Sequence, residues 1–164
     1  MKQLVLLRHA AAESSFMQAD DTARGLTQFG NVEAQDIAAQ LQQQHLIFDE
    51  IVCSPAQRAR QTLDVVLQTL SQPQHKLRFD DRLYQNTLEA LLAVVTAIDN
   101  SVSSLLLVGH NPSLSLLARH FCPDTGDSLP TAGVCLLQLL DKTWNEMSFA
   151  DGKSYSILTP SFSS

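Results

Sequence analysis

The chain has 164 residues, 45% of them apolar and 17% charged, and a formal charge of −6. That length fits one domain burying roughly two-thirds of the surface its unfolded form exposes, and the composition excludes both a disordered and a membrane-embedded chain. The excess of Asp and Glu excludes broad nucleic-acid binding through phosphate neutralisation, so any anion site has to be local.

Gln3 to Leu7 is a short apolar run that ends abruptly at Arg8-His9, as a strand buried on both faces of a parallel sheet would. Lys2 and Ala10-Ala11-Ala12 imitate a signal peptide, but Arg8 and His9 interrupt the apolar run too early. No stretch approaches the ~20 apolar residues of a membrane span, and the cytoplasm is expected by elimination. A polar loop, 11–26, leads to an amphipathic helix over 28–45, opened by Thr27 and carrying Val32, Ile37, Ala38 and Leu41 at helical spacing. Ile51-Val52-Cys53 is a second strand. Ser54 then reads as a helix cap, Pro55 as the first helical residue and Gln57 as the close of a capping box, which puts Arg58 in the first turn. This helix runs through Leu63, Val66, Leu67 and Leu70 and stops near Ser71-Gln72-Pro73.

Residues 87–98 predict a third helix, and Ser104 to Val108 the clearest central strand. Gly109-His110-Asn111-Pro112 follows it, with Asn111 able to cap a helix that Pro112 begins and that carries Leu114, Leu116, Leu117 and Ala118. Val134 to Leu140 and Trp144 to Phe149 predict a hairpin, with Tyr155 to Leu158 as an added edge segment. Alternating strands and helices give an α/β chain of three layers around a mostly parallel mixed sheet: a single domain over 1–159 and a short tail at 160–164. Cys53, Cys122 and Cys135 show no CxxC spacing and read as buried thiols in a reducing compartment, not as a disulfide framework or a zinc site. His45, His75 and His120 have no motif around them and read as structural or exposed. Arg60 reads as a solvated charge, and Trp144, Tyr155 and the Phe residues at 29, 48, 121 and 149 as core or half-buried faces.

Ligands of such sheets bind beyond the carboxyl ends of the strands. Three strands here end in polar signatures: Arg8-His9, Ser54 to Arg58, and Gly109-His110. Arginine forks suit phosphate oxygens, a helix N-terminus adds donors, and a neutral imidazole suits nucleophilic attack on phosphorus. Arg8-His9 alone is weak evidence, but the three signatures in that order are specific together.

Over Met1 to about His120 the sequence resembles the histidine phosphatase superfamily, and within it the short bacterial phosphohistidine phosphatases of the SixA type. The resemblance rests on Leu7-Arg8-His9, on Ser54-Pro55-Ala56-Gln57-Arg58-Ala59-Arg60-Gln61-Thr62 and on Val108-Gly109-His110-Asn111-Pro112. It implies a phosphoglycerate mutase-like fold, His9 as the phosphate acceptor, and Arg8, Arg58 and His110 around the phosphate. Arg24, in Arg24-Gly25-Leu26-Thr27, takes a peripheral substrate or phosphate role by the same resemblance. Asn111 is expected to reach phosphate through its backbone, to cap its helix, or to do both.

Two departures from the family pattern matter. Ala10 stands where Gly commonly follows the nucleophile, and Arg82 to Asn86 offers amides where larger members carry an acidic Glu. A missing acid favours phosphohistidine, whose imidazole is a far better leaving group than an alkoxide. Asp80, Asp81, Glu89 and a cationic His110 remain as candidate proton donors. Only 52 positions separate Arg58 from His110, which leaves little chain for a lid and predicts an open site. An open site fits a phosphorylated side chain on a folded protein, and the family resemblance implies that the partner is a phosphorylated histidine-containing phosphotransfer domain or similar phosphoprotein, met by a monomer without metal or cofactor. A small-molecule phosphomonoesterase and a non-catalytic phosphate-binding module are the alternatives.

Overall fold

In a computed structural model of the chain, residues 1–16, 20–71 and 76–161 are described. The strands are β1 (Lys2–Arg8), β2 (Glu50–Cys53), β3 (Leu77–Phe79), β4 (Ser104–Gly109), β5 (Val134–Leu139) and β6 (Gly152–Leu158). The helices are α1 (Gln28–Gln42), α2 (Gln57–Leu70), α3 (Asp81–Gln85), α4 (Leu88–Thr96) and α5 (Ser113–Phe121). One sheet runs in the order β3-β2-β4-β1-β5-β6. β3, β2, β4 and β1 pair in parallel, while β5 joins β1, and β6 joins β5, antiparallel.

Side-chain alternation along the buried strands makes three layers. Val5, Leu7, Leu106 and Val108 point to one face, where they pack with Ile37, Ala38 and Leu41 of α1 and Leu63 and Val66 of α2. Leu4, Leu6, Leu105 and Leu107 point to the other, against Leu83, Leu91, Val94, Leu114, Leu117 and the fully buried Trp144. The mostly parallel α/β/α architecture expected from the sequence is the one formed.

Several local expectations are corrected. Helix α1 ends at Gln42, short of residue 45, and Val32 lies on its outer face, 44% exposed. Thr27 does cap it, accepting from the Gly30 N–H. Ser54 does not cap α2: the helix starts at Gln57, while the Ser54 hydroxyl accepts from the Ala56 N–H in a turn before it. Pro112 caps α5 from outside instead of beginning it, and the Asn111-Pro112 peptide is cis. Trp144 is in a 3-10 turn, Trp144–Glu146, and the strand that pairs with β5 is β6. The Trp144 indole N–H donates to the Val102 carbonyl at 2.8 Å, so a side chain expected in a strand anchors a turn to the core instead. Strand β3 and helix α3 had no clear signature in the sequence, each being too short to show a period.

Of the aromatic side chains expected in the core, Phe149 is 65% exposed and Tyr155 also reaches solvent, as does Leu116 of α5. His45 is exposed, His120 is half-buried against the rings of Phe121 and Phe149, and His75 lies outside the described residues. Arg60 is exposed, with its guanidinium 4.2 Å above the Phe79 ring and its Nε donating to the Pro55 carbonyl. All three cysteines are free; Cys53 and Cys135 are buried and Cys122 only half-buried.

Gly30, in the first turn of α1, lets the helix meet the backbone of the loop that follows β1. A Cβ there would stand 2.0 Å from the Ala11 carbonyl oxygen, which is backbone and cannot swing aside. Gly30→Ala is expected to destabilise the fold by about 1–3 kcal/mol, as overpacking does. Urea unfolding measures this, and an unchanged midpoint would show that the helix can retreat freely.

Candidate active site

The backbone ladder assembles the site. Arg8 pairs with Gly109 in register, and Cys53 with Val108. Just past the strand ends, the His9 N–H donates to the Gly109 carbonyl and the Ser54 N–H to the Val108 carbonyl. Three stretches distant in sequence therefore leave the sheet at one rim, where Arg8, Arg24, Arg58, His9, His110 and Asn111 all line a cavity of about 540 Å³.

His9 and His110 stand with ring centroids 5.1 Å apart. The His9 Nδ1–H donates to the Ala10 carbonyl at 2.7 Å, which leaves the Nε2 lone pair available for attack. Burial lowers the His9 pKa to about 4, and the positive charges of Arg58, Arg8 and Arg24 act in the same direction. Burial likewise lowers His110 to about 3, with His9 and Arg58 contributing. His110 is thus neutral in the free protein, whereas the cationic proton donor expected from the sequence is one charged beside a bound phosphate. Its Nε2 lies 2.8 Å from the Ser54 hydroxyl. Among the described residues His110 Nε2 is the only acceptor for the proton of that buried hydroxyl, which itself accepts from the Ala56 N–H, so Ser54 donates to Nε2 and the His110 proton sits on Nδ1.

Three buried side-chain nitrogens among the described residues lack a partner: Arg8 Nε, Arg58 Nε and His110 Nδ1. All three belong to cavity-lining side chains, and each is a donor. Buried donors left unpaired are costly, and an oxyanion in the cavity would offer them acceptors.

The sequence reading missed what holds these groups. Asp21, in a 3-10 turn (Asp21–Ala23), accepts from Arg58 Nη2 at 3.1 Å and from Arg24 Nε at 2.9 Å, while its carbonyl accepts from Arg58 Nη1. The Tyr84 hydroxyl donates to Asp21 Oδ2 at 2.6 Å. This hydrogen bond and the two arginines hold the Asp21 carboxyl far below the usual carboxylate range. Its spacing from Arg24, i to i+3, was a visible hint. Glu33 is buried on α1 and accepts from the Ala11 N–H at 2.8 Å and from the Thr131 hydroxyl at 2.9 Å. It shares a helix face with Ile37, and an acid on an apolar face was the signal for it.

Thr62 of α2, buried, accepts from the Ala10 N–H and donates to the Arg58 carbonyl, and Gln61 Oε1 accepts from the Leu26 N–H. The Asn111 amide donates to the Leu129 carbonyl and accepts from the Ser115 N–H and hydroxyl, so its side chain caps α5 and is not free for a ligand. Of the candidate acids, Asp81 and Glu89 are exposed and away from the cavity. Asp80 lies between Arg82 and Arg78, which hold it ionised.

The profile of the histidine phosphatase superfamily, branch 1, matches residues 4–85. This chain belongs to that superfamily. The phosphohistidine phosphatase SixA of Escherichia coli is 26% identical over 144 residues, 87% of this chain and 88% of its own. A SixA-type protein from Nakamurella multipartitia superposes with a TM-score of 0.83 at 26% identity, covering 98% of this chain and 97% of its own. The protein histidine phosphatase SixA complexed with tungstate superposes with a TM-score of 0.81 at 25% identity, over 96% and 97% of the two chains. The superfamily's phosphoglycerate mutase-like fold and SixA resemblance, both expected from the motifs, therefore hold for this chain. No helix among the described residues is long and apolar enough to cross a membrane.

The lowered histidine pKa values have a consequence for stability. Between about 4 and 6.5 the unfolded chain binds protons that His9 does not bind in the folded one. This contribution to stability is complete above the unfolded value of 6.5 and is lost as pH falls towards 4. The urea midpoint should therefore drop across that window, and the His9 ring resonances should stay unshifted from pH 8 down to about 5.5. A His9 ring titrating near 6.5 would show that the pocket tolerates its charge.

Proposed function

We propose that this chain is a phosphohistidine phosphatase acting on a histidine-containing phosphotransfer domain through a phospho-His9 intermediate. The observation that carries the reading is the pairing of a neutral His9, with Nε2 free, and three unpartnered buried donors on Arg8, Arg58 and His110. That SixA is complexed with tungstate, an oxyanion of phosphate-like shape, supports an oxyanion as the ligand of this chain.

Two in-line steps follow from this arrangement. His9 Nε2 attacks phosphorus as the bond to the leaving group breaks, and Arg8, Arg58 and the His110 Nδ1–H receive the equatorial oxygens. Arg24 adds charge at the border, and Asn111 keeps α5 and the Leu129 segment in place beside Arg8, whose Nη1 donates to the same Leu129 carbonyl. The His9 proton stays on Nδ1, held by the Ala10 carbonyl, so the phosphorylated ring is cationic and leaves as neutral imidazole when water attacks.

The nature of the substrate follows from proton bookkeeping. An ester substrate needs a proton for its alkoxide, but Asp80 is held ionised, Asp81 and Glu89 stand elsewhere, and His110, neutral in the free protein, would first have to gain a proton beside the phosphate. Nothing in the cavity favours the phosphomonoesterase reading, and a free Nε2 on His9 argues against a purely binding role. A phosphoramidate leaves without that proton.

Incubation with a phosphotransfer domain carrying labelled phosphohistidine tests the proposal. His9→Ala should abolish phosphate release, and Arg58→Ala should slow it about 10²–10³-fold, as loss of a preorganised donor does. Equal release by the wild type and the His9 variant would remove His9 from the reaction.

A further inference from the structure

We propose that Tyr84 is a specificity-determining residue, its hydroxyl oxygen accepting a hydrogen bond from the N–H of a leaving imidazole; this rests on the phosphohistidine reading. Tyr84 lines the cavity, and its ring stands edge-on to His110 with centroids 5.8 Å apart, on the same cluster of rings as His9.

The direction of its hydrogen bond decides what it offers a ligand. The Asp21 carboxylate is an acceptor only, so the 2.6 Å contact uses the Tyr84 proton and leaves the phenolic lone pairs free. Asp21 also raises the Tyr84 pKa, so the hydroxyl is no source of protons for a leaving group. Asp21 itself has little left to offer, since Oδ1 receives Arg24 and Oδ2 receives Arg58 and Tyr84. The amide of Asn86, the other side chain of this segment that lines the cavity, already donates to the Asn111 carbonyl and accepts from the Ser113 N–H. In a cavity whose arginines and His110 present donors, Tyr84 thus contributes an acceptor polarised by a carboxylate.

A phosphohistidine ring protonated on its unphosphorylated nitrogen supplies the matching N–H. In the transfer step the substrate P–N bond breaks, its electron pair remains on that ring nitrogen, and a P–N bond forms to His9 Nε2. The proton on the other substrate nitrogen stays in place, hydrogen-bonded to the Tyr84 oxygen, and the imidazole leaves neutral. The positive charge passes to the phospho-His9 ring, whose Nδ1–H is held by Ala10. An alkoxide leaving group carries no such N–H and gains nothing from Tyr84.

The test is Tyr84→Phe, which keeps the ring and removes the oxygen. We expect kcat/KM towards a phosphohistidine peptide to fall about tenfold or more, the loss of a hydrogen bond to a charged group. The inhibition constant of inorganic phosphate, which has no leaving group, should shift by less than about threefold, so the clamp is intact. Equal losses in both would make Tyr84 a mere support for Asp21 and Arg58 and overturn the proposal, as would no loss in either. Wild-type protein inert towards the phosphohistidine peptide would instead overturn the phosphohistidine reading itself, and the role of Tyr84 with it.

Discussion

The site depends on keeping two adjacent imidazoles uncharged among three guanidinium groups. His9 and His110 are buried together at the end of the sheet, and burial, reinforced by the positive charge of the arginines, lowers the pKa of both. The same surroundings that would repel an imidazolium make the pocket attractive to an oxyanion. For the proposed reaction, one arrangement thus offers both an uncharged imidazole and a cationic place for the group it would attack, within a chain whose net charge is −6.

Such a concentration of positive charge has to be tolerated before any ligand arrives. Asp21 provides the counter-charge, binding Arg24, Arg58 and Tyr84 from a short turn on the loop after β1. It holds the terminal nitrogens of Arg58 and leaves Nε unpaired, so the guanidinium is oriented but not neutralised on every side. Glu33 does a comparable job deeper in the fold, tying the Ala11 N–H and Thr131 to α1 and placing a carboxylate near Arg8. Both acids act through their hydrogen-bond partners, and Asp21, which lines the cavity, is held ionised by them and has no proton to donate.

The fold supplies rigidity through the sheet. β4 lies between β1 and β2, so the strand that delivers His110 is hydrogen-bonded on either side to those that deliver His9 and Ser54. Ser54 then sets the His110 tautomer, and Thr62 links the Ala10 N–H to the Arg58 carbonyl across the gap between β1 and α2. The site geometry is thereby built from main-chain ladders and short side-chain contacts, while the long arginine side chains, whose ordering costs entropy, are held by Asp21 and the Leu129 carbonyl.

The amino-acid sequence by itself determined the features that local pattern encodes. The apolar runs of β1, β2 and β4, the capping Thr27, and the polar signatures Arg8-His9, Ser54 to Arg58 and Gly109-His110 were legible because each is a contiguous stretch with its own periodicity or turn chemistry. Strand direction then followed from the alternation with helices, and so did the shared rim. Tertiary structure alone decided that β6, not the Trp144 segment, pairs with β5, that Asn111 uses its amide on α5 and Leu129, and that Asp21 and Tyr84 meet across 63 positions. It also decided that both histidines are neutral. These outcomes depend on burial and on partners far away in the chain, and neither a side chain's desolvation nor its distant hydrogen-bond partner leaves a mark on the residues beside it.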